Sequence, residues 1–240
     1  MANTIFRRAL DFVADGMTLG LGSGRAANKF TELLGERVRA GLRVRGVPTS
    51  QATAELAARV GVPLVGLDDA PRLDLTVDGA DEVDPQLNLI KGYGRALVRE
   101  KIVAAASRNL VILVGAEKLV AKLGARGRLP IEVVPFAAPV VLDSIGKLGI
   151  GGEVHRVDDH PFVSDNGNWI IDLAIDGSRG IGDARALEAN LRGMPGVVGT
   201  GLFLGSASAV LVGDEQSFDL LQEMRRPGCA LTESLDKSNN

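Results

Sequence analysis

Two aspartates and a lysine follow an apolar strand pattern, and a glutamate lies on the predicted helix after them. Asp78 and Asp81 end that pattern, a glycine follows Lys91 directly, and Glu100 has alanine, leucine and valine at helical spacing. Carboxylates can transfer protons, and an ammonium group can stabilise negative charge that develops on an oxygen. Apolar neighbours favour proton uptake by Glu100, as a general base requires. These residue types together predict proton transfer at a carbon next to a carbonyl group.

Each of these residues also has a purely structural interpretation. The aspartates can form a solvated turn or hold Mg²⁺, and Glu100 can belong to a Glu–Lys helix surface because Lys101 has equally apolar neighbours. We favour function for the aspartates because ligands of open α/β sheets bind at the carboxyl ends of the strands. Lys91 can neutralise the aspartates in place of a metal, so no metal site is predicted. His155 and His160 are interpreted as surface residues.

The turn GLGSG at 20–24 is a second candidate ligand site, between a predicted strand and a predicted helix. Its backbone N–H groups and the helix N-terminus can hold a phosphate, although such a turn favours glycine for conformational reasons alone. The dinucleotide fingerprint GxGxxG fails at its last position, which is Arg25. The next strand ends in VPT at 47–49 without an acidic residue to bind ribose. An NAD-dependent oxidoreductase is therefore disfavoured.

Thr49 and Ser50 close the second predicted strand and precede a helix. Ser50 is typical of a helix N-cap. Its position at the carboxyl end of a strand also favours ligand contact. Both interpretations stay open from the sequence.

Composition and charge exclude several classes of protein. The net charge of −3 and the lack of a basic stripe argue against a nucleic-acid surface, and the single cysteine, Cys229, excludes a disulfide framework. The apolar runs are too short to span a bilayer, and the first residues lack the pattern of a signal peptide. We therefore expect a cytoplasmic protein that binds neither nucleic acid nor membrane.

The order of the apolar runs predicts the fold. Strands alternate with helices over the first half of the chain, and nearly continuous apolar strands are typical of a parallel sheet covered on both faces. From Pro130 the order becomes strand, helix, strand, strand, helix, strand, which is the split βαβ layout. We predict an α/β fold with an open, mostly parallel, Rossmann-like sheet over 1–129 and 204–240, and a smaller ferredoxin-like α+β domain over 130–203. Predicted elements include a strand over 64–67 and a helix over 94–107.

Several motifs, in order along most of the chain, make it resemble the ribose-5-phosphate isomerase family, type A. They are DGADEVD at 78–84, LNLIKGYG at 87–94, REKIV at 99–103, PIEVVPFA at 130–137, DNGN at 165–168 and GVVGTGLF at 196–203. A series of motifs with matching spacing is far more specific than any one of them. The resemblance implies an isomerase that interconverts ribose 5-phosphate and ribulose 5-phosphate in the pentose phosphate pathway. It also implies an enediolate intermediate and no metal or other cofactor.

The resemblance implies a role for each matching residue. Glu100 resembles the base that moves a proton between C1 and C2. Lys91 and Asp81 resemble the groups that stabilise the oxyanion and the hydroxyls, and Asp78 resembles a residue that assists ring opening. Lys118 matches a phosphate-binding lysine. The expected substrate-binding residues are Ser23, Gly24, Arg25, Ala26, Thr49, Ser50, Gly79, Ala80, Gly92, Tyr93, Gly94 and Lys118.

The sequence departs from the family pattern at two loops. SGRA at 23–26 stands where the family commonly has TGST, so two hydroxyl groups are lost. Arg25 can replace them with a charge-assisted contact or point away. Tyr93 and Arg95 replace glycines of the usual KGGGG run. These departures leave the predicted catalytic residues intact and concern phosphate affinity and substrate preference.

The alternative function is a non-catalytic sugar-phosphate sensor or a CoA-transferase-like relative on the same scaffold, because a fold alone does not define function. The resemblance further implies a homodimer or a homotetramer, which the sequence does not distinguish. The expected partner is a small sugar phosphate.

Overall fold

The computed structural model describes residues 4–214, 217–229 and 231. Short 3₁₀ turns lie at Ala116–Lys118 and Pro135–Ala137. The helices of the described residues are α1 (Ile5–Leu10), α2 (Arg25–Arg39), α3 (Gln51–Val60), α4 (Leu97–Ala106), α5 (Ala138–Lys147) and α6 (Ala184–Arg192). No helix among them combines the length and the apolar character that a membrane crossing requires.

The strands follow the same chain order. They are β1 (Thr18–Leu21), β2 (Arg45–Pro48), β3 (Leu73–Gly79), β4 (Glu82–Val83), β5 (Leu89–Ile90), β6 (Ser107–Gly115), β7 (Arg128–Val133), β8 (Gly151–Val154), β9 (Arg156–Val157), β10 (His160–Pro161), β11 (Trp169–Ala174), β12 (Val197–Thr200), β13 (Leu202–Phe203), β14 (Ala209–Gly213) and β15 (Leu220–Arg225).

The chain divides into two compact units. The first comprises Met1–Gly79, Val103–Ala116 and Ala207–Asn240, and the second comprises Ala80–Ile102 and Glu117–Ser206. The units differ from the predicted domains by grouping 80–102, 117–129 and 204–206 with 130–203. Within the second unit, β4 and β5 form a sheet with β13. The division into domains at 130 and 203 stays a prediction. Its last segment, 232–240, lies outside the described residues.

A six-stranded sheet in the order β15-β14-β6-β3-β1-β2 organises the first unit. Within the described residues its strands are parallel except β15, which pairs antiparallel to β14 at one edge. β1 and β14 are buried at every residue, as expected for a sheet covered on both faces. On α2 the buried residues Ala27, Phe30 and Leu34 recur every three or four positions. The predicted mostly parallel, Rossmann-like sheet is confirmed.

The second unit contains a four-stranded antiparallel sheet in the order β12-β7-β11-β8. Since β7 leads through α5 to β8, and β11 leads through α6 to β12, the connections follow the ferredoxin-like order. Ile131, Val133 and Leu173 are fully buried in the core of this unit. The predicted ferredoxin-like α+β layout is confirmed for these elements.

Two predicted elements differ from the structure. The segment 64–67 is not a strand, because only an isolated bridge joins Leu64 to Gly46 and the preceding Pro63 has no N–H to donate. The helix that carries Glu100 begins at Leu97 rather than at 94. Residues before it form a turn in which Arg95 has a φ of +68°, a conformation that an α-helix excludes.

Candidate active site

Lys91 and Glu100 form a buried ion pair within the second unit. The distance from Lys91 Nζ to Glu100 Oε2 is 3.4 Å, and the two residues are only 2% and 4% exposed. Water screens such a pair little, so each charge strongly influences proton transfer at its neighbour. The structure thus brings together the two residues that the sequence predicts as base and as oxyanion-stabilising group.

Short strands and a helix start position this pair. Lys91 follows β5 directly, and its N–H donates to Gly201 O at 2.9 Å. The ammonium of Lys91 lies 5.5 Å from the centre of the Phe203 ring, within the range of a cation–π contact. Glu100 lies in the first turn of α4, and its N–H donates to Ala96 O at 3.0 Å. Backbone hydrogen bonds therefore fix the positions of Lys91 and Glu100, whose side chains are buried.

The structure also separates Glu100 from Lys101, which the sequence pattern does not. Lys101 Nζ donates to Glu188 Oε1 at 3.1 Å and to Leu202 O at 2.8 Å. Burial lowers the pKa of Lys101, although the charge of Glu188 opposes this shift. Lys101 is therefore tied to α6 and β13, and the interpretation of Glu100 as part of an exposed Glu–Lys surface is wrong.

Asp81 lies close to the same pair. Its N–H donates to Ile90 O at 2.8 Å, and its Oδ2 accepts the N–H of Tyr93 at 2.9 Å. Burial raises the pKa of Asp81, and the Tyr93 N–H and then the charges of Lys91, Lys118 and Arg128 oppose the rise. Three cations thus act on one carboxylate within the second unit. Lys118 is half-buried in the 3₁₀ turn that follows β6.

A cluster of four hydroxyl groups lies at the carboxyl ends of β1 and β2 in the first unit. Ser23 Oγ is 2.8 Å from Thr49 Oγ1, 2.8 Å from Ser50 Oγ and 3.1 Å from Thr53 Oγ1. Ser50 also caps α3, because its Oγ accepts the N–H of Thr53 at 3.1 Å. The N-cap interpretation of Ser50 is confirmed, and Ser50 is at the same time part of this polar cluster.

Asp78 closes β3 beside the glycine-rich turn. Its Oδ1 accepts the N–H groups of Ser23, at 3.1 Å, and of Gly79, at 2.7 Å. A Cβ at Gly22 would overlap the Asp78 carboxylate, and a Cβ at Gly20 would overlap Thr76. The first two glycines of GLGSG are therefore required by this close approach of β1 to β3.

The remaining predicted binding residues fall into two groups. Gly24, with a φ of +96°, precedes the first turn of α2, which Arg25 and Ala26 begin. The guanidinium of Arg25 lies 5.3 Å from the Phe218 ring. Ala80 follows β3, and Gly92 and Gly94 lie in the turn between β5 and α4.

Three residues near these positions were missed by the sequence reasoning. Thr53 belongs to the hydroxyl cluster, Arg128 acts on Asp81, and the fully buried Glu82 accepts the N–H groups of Gly124, at 2.6 Å, and Arg126, at 2.7 Å. Glu82 belongs to the DGADEVD motif, which is a signal that could have identified it, but no local pattern marks Arg128.

His155 is partly exposed, with 28% of its side chain accessible, and His160 is exposed as expected. His155 Nδ1 lies 3.5 Å from Asp172 Oδ2. Burial and then the charge of Arg95 lower the pKa of His155. Within the described ranges, no group of three His, Cys, Asp or Glu side chains is arranged to hold a metal ion.

The Rossmann-like sheet, the ferredoxin-like layout and the buried Lys–Glu pair define an α/β enzyme suited to proton transfer. A family model described as ribose 5-phosphate isomerase A (phosphoriboisomerase A) matches residues 45–217. The chain belongs to this family and is an isomerase.

Relatives and solved structures agree with this assignment. The chain is 48% identical to the ribose-5-phosphate isomerase A of Parvibaculum lavamentivorans over 222 residues, covering 90% of this chain and 94% of that protein. The structure of ribose 5-phosphate isomerase A from Methanocaldococcus jannaschii matches with a TM-score of 0.85 and 37% identity, covering 93% of this chain and 97% of that chain. A D-ribose-5-phosphate isomerase in complex with phospho-erythronic acid matches with a TM-score of 0.86 and 37% identity, covering 92% and 96%.

Proposed function

We propose that this isomerase interconverts D-ribose 5-phosphate and D-ribulose 5-phosphate through an enediolate, without a metal. The observation that carries the proposal is the buried pair of Lys91 and Glu100, 3.4 Å apart. A carboxylate next to an ammonium group supplies a base and a stabilising charge for the same proton transfer. The names of the relatives, and the sugar acid bound to one of them, support the choice of substrate.

Glu100 is the proposed base. It removes the proton from C2 of the open-chain aldose and returns it to C1, while the hydroxyl proton moves from O2 to O1. The C1 carbonyl becomes a hydroxyl, C2 becomes the new carbonyl, and no oxidant or reductant is needed. Lys91 is proposed to stabilise the negative oxygen of the enediolate, and one such donor is typically worth a few kcal/mol.

The two aspartates have proposed roles around the sugar. Asp81 accepts a hydrogen bond from the Tyr93 N–H, and the charges of Lys91, Lys118 and Arg128 act on it. It is proposed to contact the hydroxyl groups of the sugar whose protons move. Asp78, held by two backbone N–H groups, is proposed to assist ring opening and to orient the sugar. Ala80 and Gly79 connect the two aspartates along the chain and are proposed to contact the substrate through their backbone.

Phosphate binding is proposed for the glycine-rich turn and Lys118. The turn leads into α2, where the N–H groups of the first turn are not capped by a side chain. Such a helix start favours an anion. The hydroxyl groups of Ser23, Thr49 and Ser50 are also proposed to bind the phosphate. The turn at 92–94 is proposed to contact the sugar. Arg25, whose guanidinium lies 5.3 Å from the Phe218 ring, stays a proposed substrate-binding residue of this turn.

An isomerisation assay with ribose 5-phosphate in the presence of a chelator tests the function. Turnover that the chelator leaves unchanged is the expected result. Exchange of the substrate C2 proton in deuterated water distinguishes catalysis from binding, since a sugar-phosphate sensor or a CoA-transferase-like relative binds without exchange. Loss of turnover on chelation, restored by Mg²⁺, would contradict the metal-independent mechanism. The cytoplasmic location and the homodimer or homotetramer stay predictions.

A further inference from the structure

The turn between β5 and α4 connects Asp81 to the four-stranded sheet of the second unit. A hydrogen bond from Arg95 N–H to Gly92 O, 2.9 Å long, closes this turn. Its second residue, Tyr93, donates its N–H to Asp81 Oδ2 at 2.9 Å. The orientation of the Asp81 carboxylate therefore depends on where the turn is held.

Arg95 attaches one end of the turn to β11. Its Nη1 donates to Asp172 Oδ1 at 2.6 Å, and its Nη2 lies 3.2 Å from His155 Nδ1. The side chains of Arg95 and Asp172 are only 9% and 11% exposed, so solvent screens this pair far less than a surface pair. Since β11 is an interior strand of the sheet, its position is fixed on both sides.

Tyr93 attaches the turn to the neighbouring strand, β7. Its hydroxyl donates to Arg128 O at 3.0 Å, and the Arg128 guanidinium lies 4.0 Å from the centre of its ring. A phenol with the ordinary pKa of 10.0 is already a donor at neutral pH, and burial raises the pKa of Tyr93 further, to about 12. The turn is thus fastened to two adjacent strands by two different side chains.

The backbone conformation at Arg95 does not favour an arginine, so the contacts of its side chain explain why an arginine is found there. Its φ of +68° lies in the left-handed region, which glycine adopts more readily than any residue with a Cβ. A strained residue persists where the surrounding contacts determine its conformation. At Arg95 those contacts are Asp172 and His155.

We propose that Arg95 and Asp172 are positioning residues for the isomerase reaction, which act through the Tyr93 N–H to orient the Asp81 carboxylate. This inference rests on the proposed role of Asp81. The hydrogen bond from the Tyr93 N–H favours the ionised form of the Asp81 carboxylate. Loosening the turn weakens this hydrogen bond. The charges of Lys91, Lys118 and Arg128 continue to act on Asp81, so the effect is a shift and not a loss of ionisation.

The direct test follows the titration of Asp81 by carboxyl-carbon NMR in the full chain. In Arg95→Gly and in Asp172→Asn we expect the Asp81 pKa to rise by about one unit, because a hydrogen bond to the charged form of an acid lowers its pKa. Arg95→Lys keeps the charge and should reverse part of the shift. This measurement does not require turnover, so it stands or fails separately from the proposed function.

Steady-state kinetics supply the second readout. Arg95→Gly and Asp172→Asn should each lower kcat about tenfold and change KM by no more than about twofold, which is the pattern for an interaction made in the transition state. They should also shift the acid limb of the pH–rate profile to higher pH. Arg99→Gln is the matched control, because Arg99 lies on α4 and its Nε donates to Asn166 Oδ1 at 2.8 Å, away from the turn. If Arg95→Gly and Asp172→Asn lower only the melting temperature and leave the Asp81 titration unchanged, the contacts are structural and the proposal is wrong.

Discussion

At the scale of single residues, the pair of Lys91 and Glu100 combines its proposed catalytic role with a structural constraint. Burial removes water from both charges, and each charge then depends on the other for compensation. A substitution at either position therefore changes stability as well as chemistry. Activity measurements on such variants need a stability measurement beside them.

Glu100→Gln is expected to lower kcat about 10³-fold, because a general base typically contributes about 10²–10⁴ to the rate. Removing the negative charge from a buried pair also typically costs about 3–5 kcal/mol of stability. Isomerase assays and thermal denaturation followed by circular dichroism measure the two effects. Glu55→Gln, on the exposed side of α3, is the control and should change neither. Near-normal activity of folded Glu100→Gln would exclude Glu100 as the base.

Asp81→Asn should make the folded protein more resistant to heat at neutral pH while lowering activity. Burial raises the pKa of Asp81 above its ordinary value of 3.8, so the folded state holds the proton more tightly than the unfolded state. The stability contributed by the protonated group is present below the unfolded pKa and is lost as the pH rises through the folded pKa. Asparagine avoids that loss. Melting curves from pH 4 to pH 8 should therefore diverge with rising pH, and parallel curves would contradict the argument.

At the scale of secondary-structure elements, Glu132 explains why two separate sequence motifs occur together. Glu132 is fully buried on β7, and its Oε1 accepts from Ser164 Oγ at 2.9 Å, Asn166 Nδ2 at 3.0 Å and Asn168 Nδ2 at 2.9 Å. The carboxylate belongs to PIEVVPFA, and both asparagines belong to DNGN. One acceptor thus fixes the turn before β11 against β7.

Glu132→Ala is expected to destabilise the protein by about 2–4 kcal/mol, because it leaves several side-chain donors without their acceptor. Glu132→Gln keeps an acceptor oxygen in place and should cost about 1 kcal/mol. Urea denaturation measures both free energies of unfolding. The control is Glu153→Gln, because Glu153 is an exposed residue of β8, at the edge of the same sheet. Equal losses for Glu132→Ala and Glu153→Gln would show that the cluster contributes nothing.

At the scale of the whole molecule, substrate-like ligands should stabilise the fold selectively. A ligand that binds only the folded state adds RT ln(1 + [L]/Kd), or about 2.7 kcal/mol at a hundredfold excess over Kd. The proposed function therefore predicts that phospho-erythronic acid, which is in complex with a structural relative, raises the melting temperature of this chain. NAD should not, since the dinucleotide fingerprint is incomplete. A shift with NAD alone would support the disfavoured oxidoreductase.

The fold could be predicted largely from the sequence because its signals are local. Long apolar strands and alternating helices indicate the parallel sheet, and the change of order after Pro130 indicates the ferredoxin-like layout. Strands of two residues, such as β4 and β5, carry no periodicity and were missed. Periodicity likewise could not separate Glu100 from Lys101, since only the tertiary partners of Lys101, among them Glu188, distinguish the two. Arg128 was missed for the same reason.

The strand order of the first unit has a consequence for synthesis on the ribosome. β14 pairs with β6, yet about ninety residues, 116–208, are translated between these two strands. Until β14 emerges, the apolar β6 is an open edge that can pair with another nascent chain. Messages truncated before codon 209 should accordingly yield aggregates, whereas the second unit, whose residues all precede that point, can be completed while translation continues.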